Sequence, residues 1–167
     1  SGFAWKDLYL NGAIYLNGKK AVSSTTDLND NLFFGSNTGI SNTTGIENIA
    51  IGNVALNQNQ TGNGNVALGH AALFLNTASG NTAVGDQTML NNTSGYQSCA
   101  FGYQALYSNT SGINNSAFGF KSLYNNSGTG FNGIFNSAFG ALSLQANTTG
   151  SSNSAFGNAA MSSNSSG

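Results

Sequence analysis

Proline is missing from all 167 residues, cysteine and histidine occur once each, and only four Lys+Arg and five Asp+Glu side chains carry charge. Each shortage excludes something. A single cysteine, Cys99, cannot form an intrachain disulfide. A single histidine, His70, without a second thiol or imidazole, leaves no converging ligand set for a metal, and no cofactor is expected. Charged residues make up 5% of the chain, against roughly 25% in ordinary globular proteins. A formal net charge of −1 offers no basic surface for nucleic acid or an anionic membrane. No apolar stretch approaches a membrane span and no signal peptide opens the chain, so membrane insertion is not expected. The lack of proline leaves every backbone N–H available for ladder hydrogen bonds.

Asn, Ser, Thr and Gly supply the polarity, a composition that alone would also suit disorder. The apolar residues are too regular for that. Glycine recurs in nearly one setting at Gly35, Gly52, Gly69, Gly85, Gly102, Gly119, Gly140 and Gly157, at spacings of 17, 17, 16, 17, 17, 21 and 17. A small or apolar residue and then a bulky one precede each anchor, as in Ala50-Ile51-Gly52 and Ala117-Phe118-Gly119. Seven residues after each anchor stands an asparagine: Asn42, Asn59, Asn76, Asn92, Asn109, Asn126, Asn147 and Asn164. A period this short is one turn of a solenoid, so residues 31–167 read as an array of about eight coils. Residues 1–30 read as a small β-hairpin connector. There Tyr9-Leu10-Asn11-Gly12 recurs as Tyr15-Leu16-Asn17-Gly18, with Asn-Gly as the hairpin signal and Phe3 and Trp5 covering one end. Ser23 to Asp30 reads as a polar connector into the array.

Each coil divides into three parts. A short strand carries Asn-x-Ala-bulky-Gly, as in Asn65-Val66-Ala67-Leu68-Gly69. A run such as Tyr103-Gln104-Ala105-Leu106-Tyr107-Ser108 favours one or two helical turns. Asn109-Thr110-Ser111-Gly112 then supplies residues that tolerate positive φ. Thr38-Gly39 replaces the Ala-Leu pair in the first coil, which suits a cap, and the coil after Gly119 gains four residues (21 − 17), placed at about 127–135. Begun mid-pattern at Ser1 and ended on a repeat at Gly167, the sequence reads as a fragment of a longer secreted protein.

The alanine and bulky columns of the strand point to opposite faces, and both are apolar. A coil of 17 residues can enclose only one of them. Burying a Phe or Leu is worth roughly 1.5–3 kcal/mol, while ordering each residue costs about 1–2 kcal/mol. So thin a core calls for a second buried face against copies of the same chain, with three-fold closure the economical solution and a dimer left open. The eight anchored asparagines are expected to stack as a ladder between coils.

The units Asn48-Ile-Ala-Ile-Gly52, Asn81-Thr-Ala-Val-Gly85 and Asn115-Ser-Ala-Phe-Gly119 resemble the strand repeats in heads of trimeric autotransporter adhesins. The longer Gly102-Tyr-Gln-Ala-Leu-Tyr-Ser-Asn-Thr-Ser-Gly112 looks like repeats of bacterial surface fibres and phage-tail-like fibres, of the kind often followed by an endosialidase-type chaperone domain. Trp5-Lys-Asp-Leu-Tyr-Leu-Asn-Gly12 is similar to their sheet connectors. The likeness covers 31–167 well and 1–30 loosely, and departs from the adhesin heads in its longer period. It implies a mainly β fold: a homotrimeric, left-handed, parallel β-roll displayed extracellularly at a cell surface.

Candidate chemistry is sparse. A serine or threonine nucleophile needs an activating base and an orienting partner, which one histidine and five acids do not assemble, so no enzyme is expected. Asp27 and Asp30 read as a solvated linker, and Cys99 as a small packed strand residue. Aromatics one and five residues after the anchors stand out: His70 and Phe74, Tyr103 and Tyr107, Phe120 and Tyr124. With Phe131 and Phe135 of the enlarged loop they are the candidate contacts for a surface glycan or protein receptor on another cell. Thr43, Thr77, Thr93, Thr110 and Thr148 form a column that raises an ice-binding alternative. The leading expectation is a structural or adhesive fibre segment, with a dedicated glycan- or receptor-binding tip as the alternative.

Overall fold

The computed structural model describes residues 13–16, 19–23, 30–128 and 132–167. Ten strands form one sheet in chain order. β1 (Ala13–Leu16) and β2 (Lys19–Ser23) are antiparallel, with Leu16 opposite Lys19 and the Asn17-Gly18 pair between them in sequence. β2 also pairs antiparallel with β3 (Leu32–Phe34), Val22 opposite Phe34, so the amino-terminal strands extend the sheet of the array. Ser23, expected to open the polar connector, belongs to β2. The readings at Phe3, Trp5, Tyr9 to Gly12 and Asp27 lie outside the described residues.

From β3 on, all pairing is parallel. β4 (Ile49–Ile51), β5 (Val66–Leu68), β6 (Thr82–Val84), β7 (Cys99–Phe101), β8 (Ser116–Phe118), β9 (Ser137–Phe139) and β10 (Ser154–Phe156) each lie in register with the strand of the previous coil. These eight parallel strands make a β-solenoid. Its alanine column is in register and wholly buried from Ala50 to Ala138. Facing it, four residues after each anchor, are the buried Leu56, Leu73, Met89, Leu106, Leu123 and Leu144.

The anchor glycines are required by both conformation and space. Gly85 has φ +131°, and a Cβ there would lie 2.7 Å from the Gly102 carbonyl oxygen of the next coil. The coils stack so closely at this bend that only hydrogen fits.

After the anchor the sequence predicts a helical turn, and here the structure differs. Among the described residues no helix forms. Gln104 and Leu106 stand at φ +55° and +51°, Lys121 and Leu123 at +52° and +49°, with the residues between them at negative φ. A helix needs consecutive residues of one hand. Alternation instead turns the N–H and C=O groups toward neighbouring coils. Gln104 N–H donates to Asp86 O, Leu106 N–H to Ser122 O and Ser108 N–H to Tyr124 O, each at 3.0 Å. Left-handed geometry costs a leucine roughly 1–2 kcal/mol. Intercoil hydrogen bonds and burial of that same leucine offset it, whereas helical bonds would leave adjacent coils unlinked along this stretch.

The first coil is compensated as well as degenerate. Phe33 occupies the alanine column and is buried, and its ring fills the volume that Gly39 leaves in the leucine column. A Cβ on Gly39 would lie 2.6 Å from the Phe33 Cε2 atom.

Two asparagine ladders run through the interior. Asn109 Nδ2 donates to Asn92 Oδ1 at 2.7 Å and to Gly112 O at 3.0 Å, while its Oδ1 accepts from Asn126 Nδ2 at 2.9 Å. The second ladder uses the asparagine that opens each strand motif. Asn48 donates its backbone N–H to Asn31 Oδ1 at 2.8 Å and its Nδ2 to Gly62 O at 2.8 Å. At Ser98 the hydroxyl substitutes, accepting from Asn115 N–H at 3.1 Å. The two ladders meet at shared backbone carbonyls: Gly62 O accepts from Asn48 and also from Asn59 Nδ2 at 2.9 Å, and in the short coil Ala78 O accepts from both Asn65 and Asn76. These amides cross-link the coil interior as well as the stack.

Length variation is confined to one corner. The enlarged coil keeps Asn126 Nδ2 on Gly133 O at 2.9 Å, with the extra residues between these two in sequence, while β8 and β9 stay in register. In the short coil, Asn76 Nδ2 donates to Ala78 O at 2.8 Å, and the buried Asn59 Oδ1 below it has no partner.

Candidate functional site

Two outward surfaces carry the unusual residues. The first is the outer face of the strands. Because side chains alternate, burial of the alanines pushes the bulky column outward. Phe34 is 48% exposed, Leu68 42% and Phe101 37%. Phe101, Phe118, Phe139 and Phe156 form one continuous stack with centroids 4.9, 4.7 and 5.1 Å apart. Beside this column runs a second outward one, aliphatic at Leu32, Ile49 and Val66 and small from Cys99 to Ser154. Ile49 stands beside Ile51 and Val66 beside Leu68; where this column shrinks to serine its neighbour is phenylalanine, while the first coil sets Leu32 beside Phe34. Burial pushes the Cys99 thiol above its ordinary pKa.

The second surface lies beyond the anchor glycines. Tyr103 and Phe120 stack at 5.7 Å, and Tyr107 and Tyr124 at 5.1 Å, with planes within 9°. Lys121 joins the two pairs: its Nζ sits 5.4 Å from the Phe120 centroid and 5.2 Å from the Tyr124 centroid. Tyr103 and Phe120 are exposed, Tyr107 and Tyr124 half-buried. Next to the rings, Gln104 Nε2 donates to Gln87 Oε1 at 2.7 Å. The backbone that aligns these residues is the alternating-φ run, whose intercoil bonds place equivalent rings one coil apart. Sequence reasoning passed over Lys121; the available signal was that no other Lys or Arg follows Lys20.

The remaining candidates are scattered. Phe135 is exposed at φ +56°, Ile134 is buried, and Phe131 lies outside the described residues. His70 Nδ1 approaches Asp86 Oδ1 at 3.5 Å, both about half exposed, and no third His, Cys, Asp or Glu joins them among the described residues. The short coil leaves an open hollow of about 370 Å³ lined by Ala78, Ser79, Gly80, Tyr96 and Gln97. In the threonine column, Thr43 Oγ1 donates to Gln60 O, Thr77 to Thr93 O, Thr93 to Thr110 O and Thr148 to Ser165 O, each at 2.9 Å. No helix among the described residues is long and apolar enough to cross a membrane.

No family model, curated protein or solved structure matches the chain.

Proposed function

We propose that this chain is a non-enzymatic segment of a homotrimeric, left-handed β-roll fibre displayed outside the cell, where it acts as shaft, spacer or adhesive head. The observation that carries the reading is the outward phenylalanine stack. Four rings in a row, flanked by Cys99 and three serines and continued by Val84, Leu68 and Ile51, make a continuous apolar stripe along the solenoid. Monomeric proteins seldom expose such a stripe. Sister chains aligned in parallel would meet coil against equivalent coil. The compensated sizes of the two outward columns suit that arrangement, since each layer then faces itself.

Scarcity of charge supports the same reading. A stack of nearly identical coils repeats any charge against itself, and neutral asparagine ladders avoid that repulsion. The ice-binding alternative is weakened because the threonine hydroxyl hydrogens are spent on backbone carbonyls of the next coil.

The test is the solution mass of the purified chain, by light scattering and sedimentation at micromolar concentration. Three chains of 17.0 kDa are expected. A stable, folded monomer would overturn the proposal, and a dimer would overturn its three-fold form.

A further inference from the structure

Lys121 is the only Lys or Arg of residues 31–167, and it stands where the array's four clustered rings meet. Ring stacking alone would stabilise the coils, as in the phenylalanine column. A cation adds little to that, because a lysine near exposed rings gains roughly 0.5–1 kcal/mol. Among the described residues no carboxylate pairs with Lys121; the one ion pair there joins His70 and Asp86. The platform is therefore amphipathic in a definite way: flat apolar ring faces, one uncompensated positive charge, and a glutamine amide at the margin.

We propose that this platform binds an acidic glycan, with carboxylate-bearing pyranose rings laid on the aromatic pairs and one carboxylate held by Lys121. A pyranose has apolar C–H faces that pack on π-systems, while its hydroxyls and carboxylate lie at its edges. The Tyr103–Phe120 and Tyr107–Tyr124 pairs supply the faces. Lys121 supplies a compact point charge with three donors, and Gln104 an edge partner. Charge density selects the class. A densely sulfated polyanion, with more than one charge per ring, needs a cluster of bases, whereas a single cation on a chain of net charge −1 matches a sugar with one carboxylate per ring. A single platform of this kind binds weakly, and repetition of the chain in an assembly would raise avidity without new contacts.

The inference does not depend on the trimer, and the experiment keeps the two apart. The full chain is titrated calorimetrically with tetragalacturonate, with its neutral counterpart galactotetraose and with a heparin tetrasaccharide, while sedimentation records the assembly in the same samples. Binding of tetragalacturonate in preference to the other two is expected. Lys121→Met, which keeps the stem over the rings, is expected to weaken it about tenfold and leave neutral-sugar binding unchanged. Tyr103→Ala is expected to weaken both sugars. The proposal is overturned if galactotetraose binds equally well, if Lys121→Met changes nothing, if heparin is preferred, or if the folded chain, assembled or not, binds none of the three at millimolar concentration.

Discussion

Replacing Phe101 by serine tests the assembly argument at its centre. Phe101 is 37% exposed in the single chain, and a phenylalanine presents about 200 Å² when free, so roughly 75 Å² remains to be covered. At about 25 cal/mol per Å², covering it contributes roughly 2 kcal/mol per chain. Serine is already the outward neighbour in the later coils, so the substitution introduces nothing foreign to the surface. The interior is untouched, because the side chain that packs inward there is Ala100. Within the chain the ring also loses its contacts with Phe118 and Val84, about 125 Å² of cover worth roughly 3 kcal/mol, a loss that falls on the fold of each chain and not on the association.

In a three-chain assembly the change removes three rings, about 6 kcal/mol, which lowers the three-body association constant on the order of 10⁴-fold. Sedimentation across a concentration series is expected to show dissociation of Phe101→Ser where the parent remains associated, with circular dichroism of the two alike. Tyr96→Ser is the control: equally large, 44% exposed, but outside the strand face, and expected to leave the mass unchanged. The reasoning is refuted if Phe101→Ser keeps the parent's mass at every concentration, or if Tyr96→Ser dissociates it instead.

Four further outcomes follow from the interior. Phe33→Ala is expected to lower the melting temperature through a loss of about 3–5 kcal/mol, and Gly39→Leu alone to clash with the ring; together they are expected to recover most of it, since leucine holds nearly the same φ at Leu56. Gly102→Ala, at φ +130° with a Cβ 2.5 Å from Gly119 O, is expected to cost at least about 2 kcal/mol in urea titrations. Gly64→Ala, at φ +61° with open space around it, is expected to cost only about 1 kcal/mol. Asn109→Ala removes a fully bonded buried amide and is expected to destabilise more than Asn59→Ala, whose Oδ1 is already unpaired, with the difference read from denaturant midpoints. Burial raises the Cys99 pKa, so its thiolate forms only at higher pH than in the unfolded chain; alkylation by iodoacetamide is expected to be slower in the folded protein and to accelerate at higher pH than in urea.

The strand phase was legible because glycine, alanine and the bulky residue repeat within each period, and a period-two pattern fixes which faces share a column. The turn was not. Tyr103 to Ser108 favours a helix locally, yet the N–H groups of Gln104, Leu106 and Ser108 have better partners one coil away, and such partners exist only once coils stack. Thr38-Gly39 reads in sequence as a degenerate coil that suits a cap, because its counterweight, Phe33, reaches Gly39 only across the coil interior. The asparagine seven after the anchor announces itself by spacing. The one that opens the strand motif recurs in every coil but that of Ser98, and its convergence on the same backbone carbonyl appears only in three dimensions. Lys121 was hidden by rarity, since a lone charge ordinarily reads as a solvated surface residue.

Both departures from the common period argue that the solenoid separates its inside from its outside. Losing one residue before Gly85 or gaining four before Gly140 leaves strand register intact, because the change falls at the corner between the asparagine seven after the anchor and the next strand. Among the described residues, the one buried side-chain oxygen or nitrogen left without a partner is Asn59 Oδ1, beside the short coil. Outward positions are freer still: the position after the anchor is His70, Asp86, Tyr103 and Phe120 in four successive coils, with no change in the backbone beneath. A scaffold of this kind can dedicate one outward face to sister chains and another to a ligand, because neither contributes to the core. Phe101→Ser should then alter mass while sparing the Lys121 platform, and Lys121→Met should alter sugar binding while sparing mass. If either substitution moves both readouts, the two faces are one surface and the division of labour argued for them is wrong.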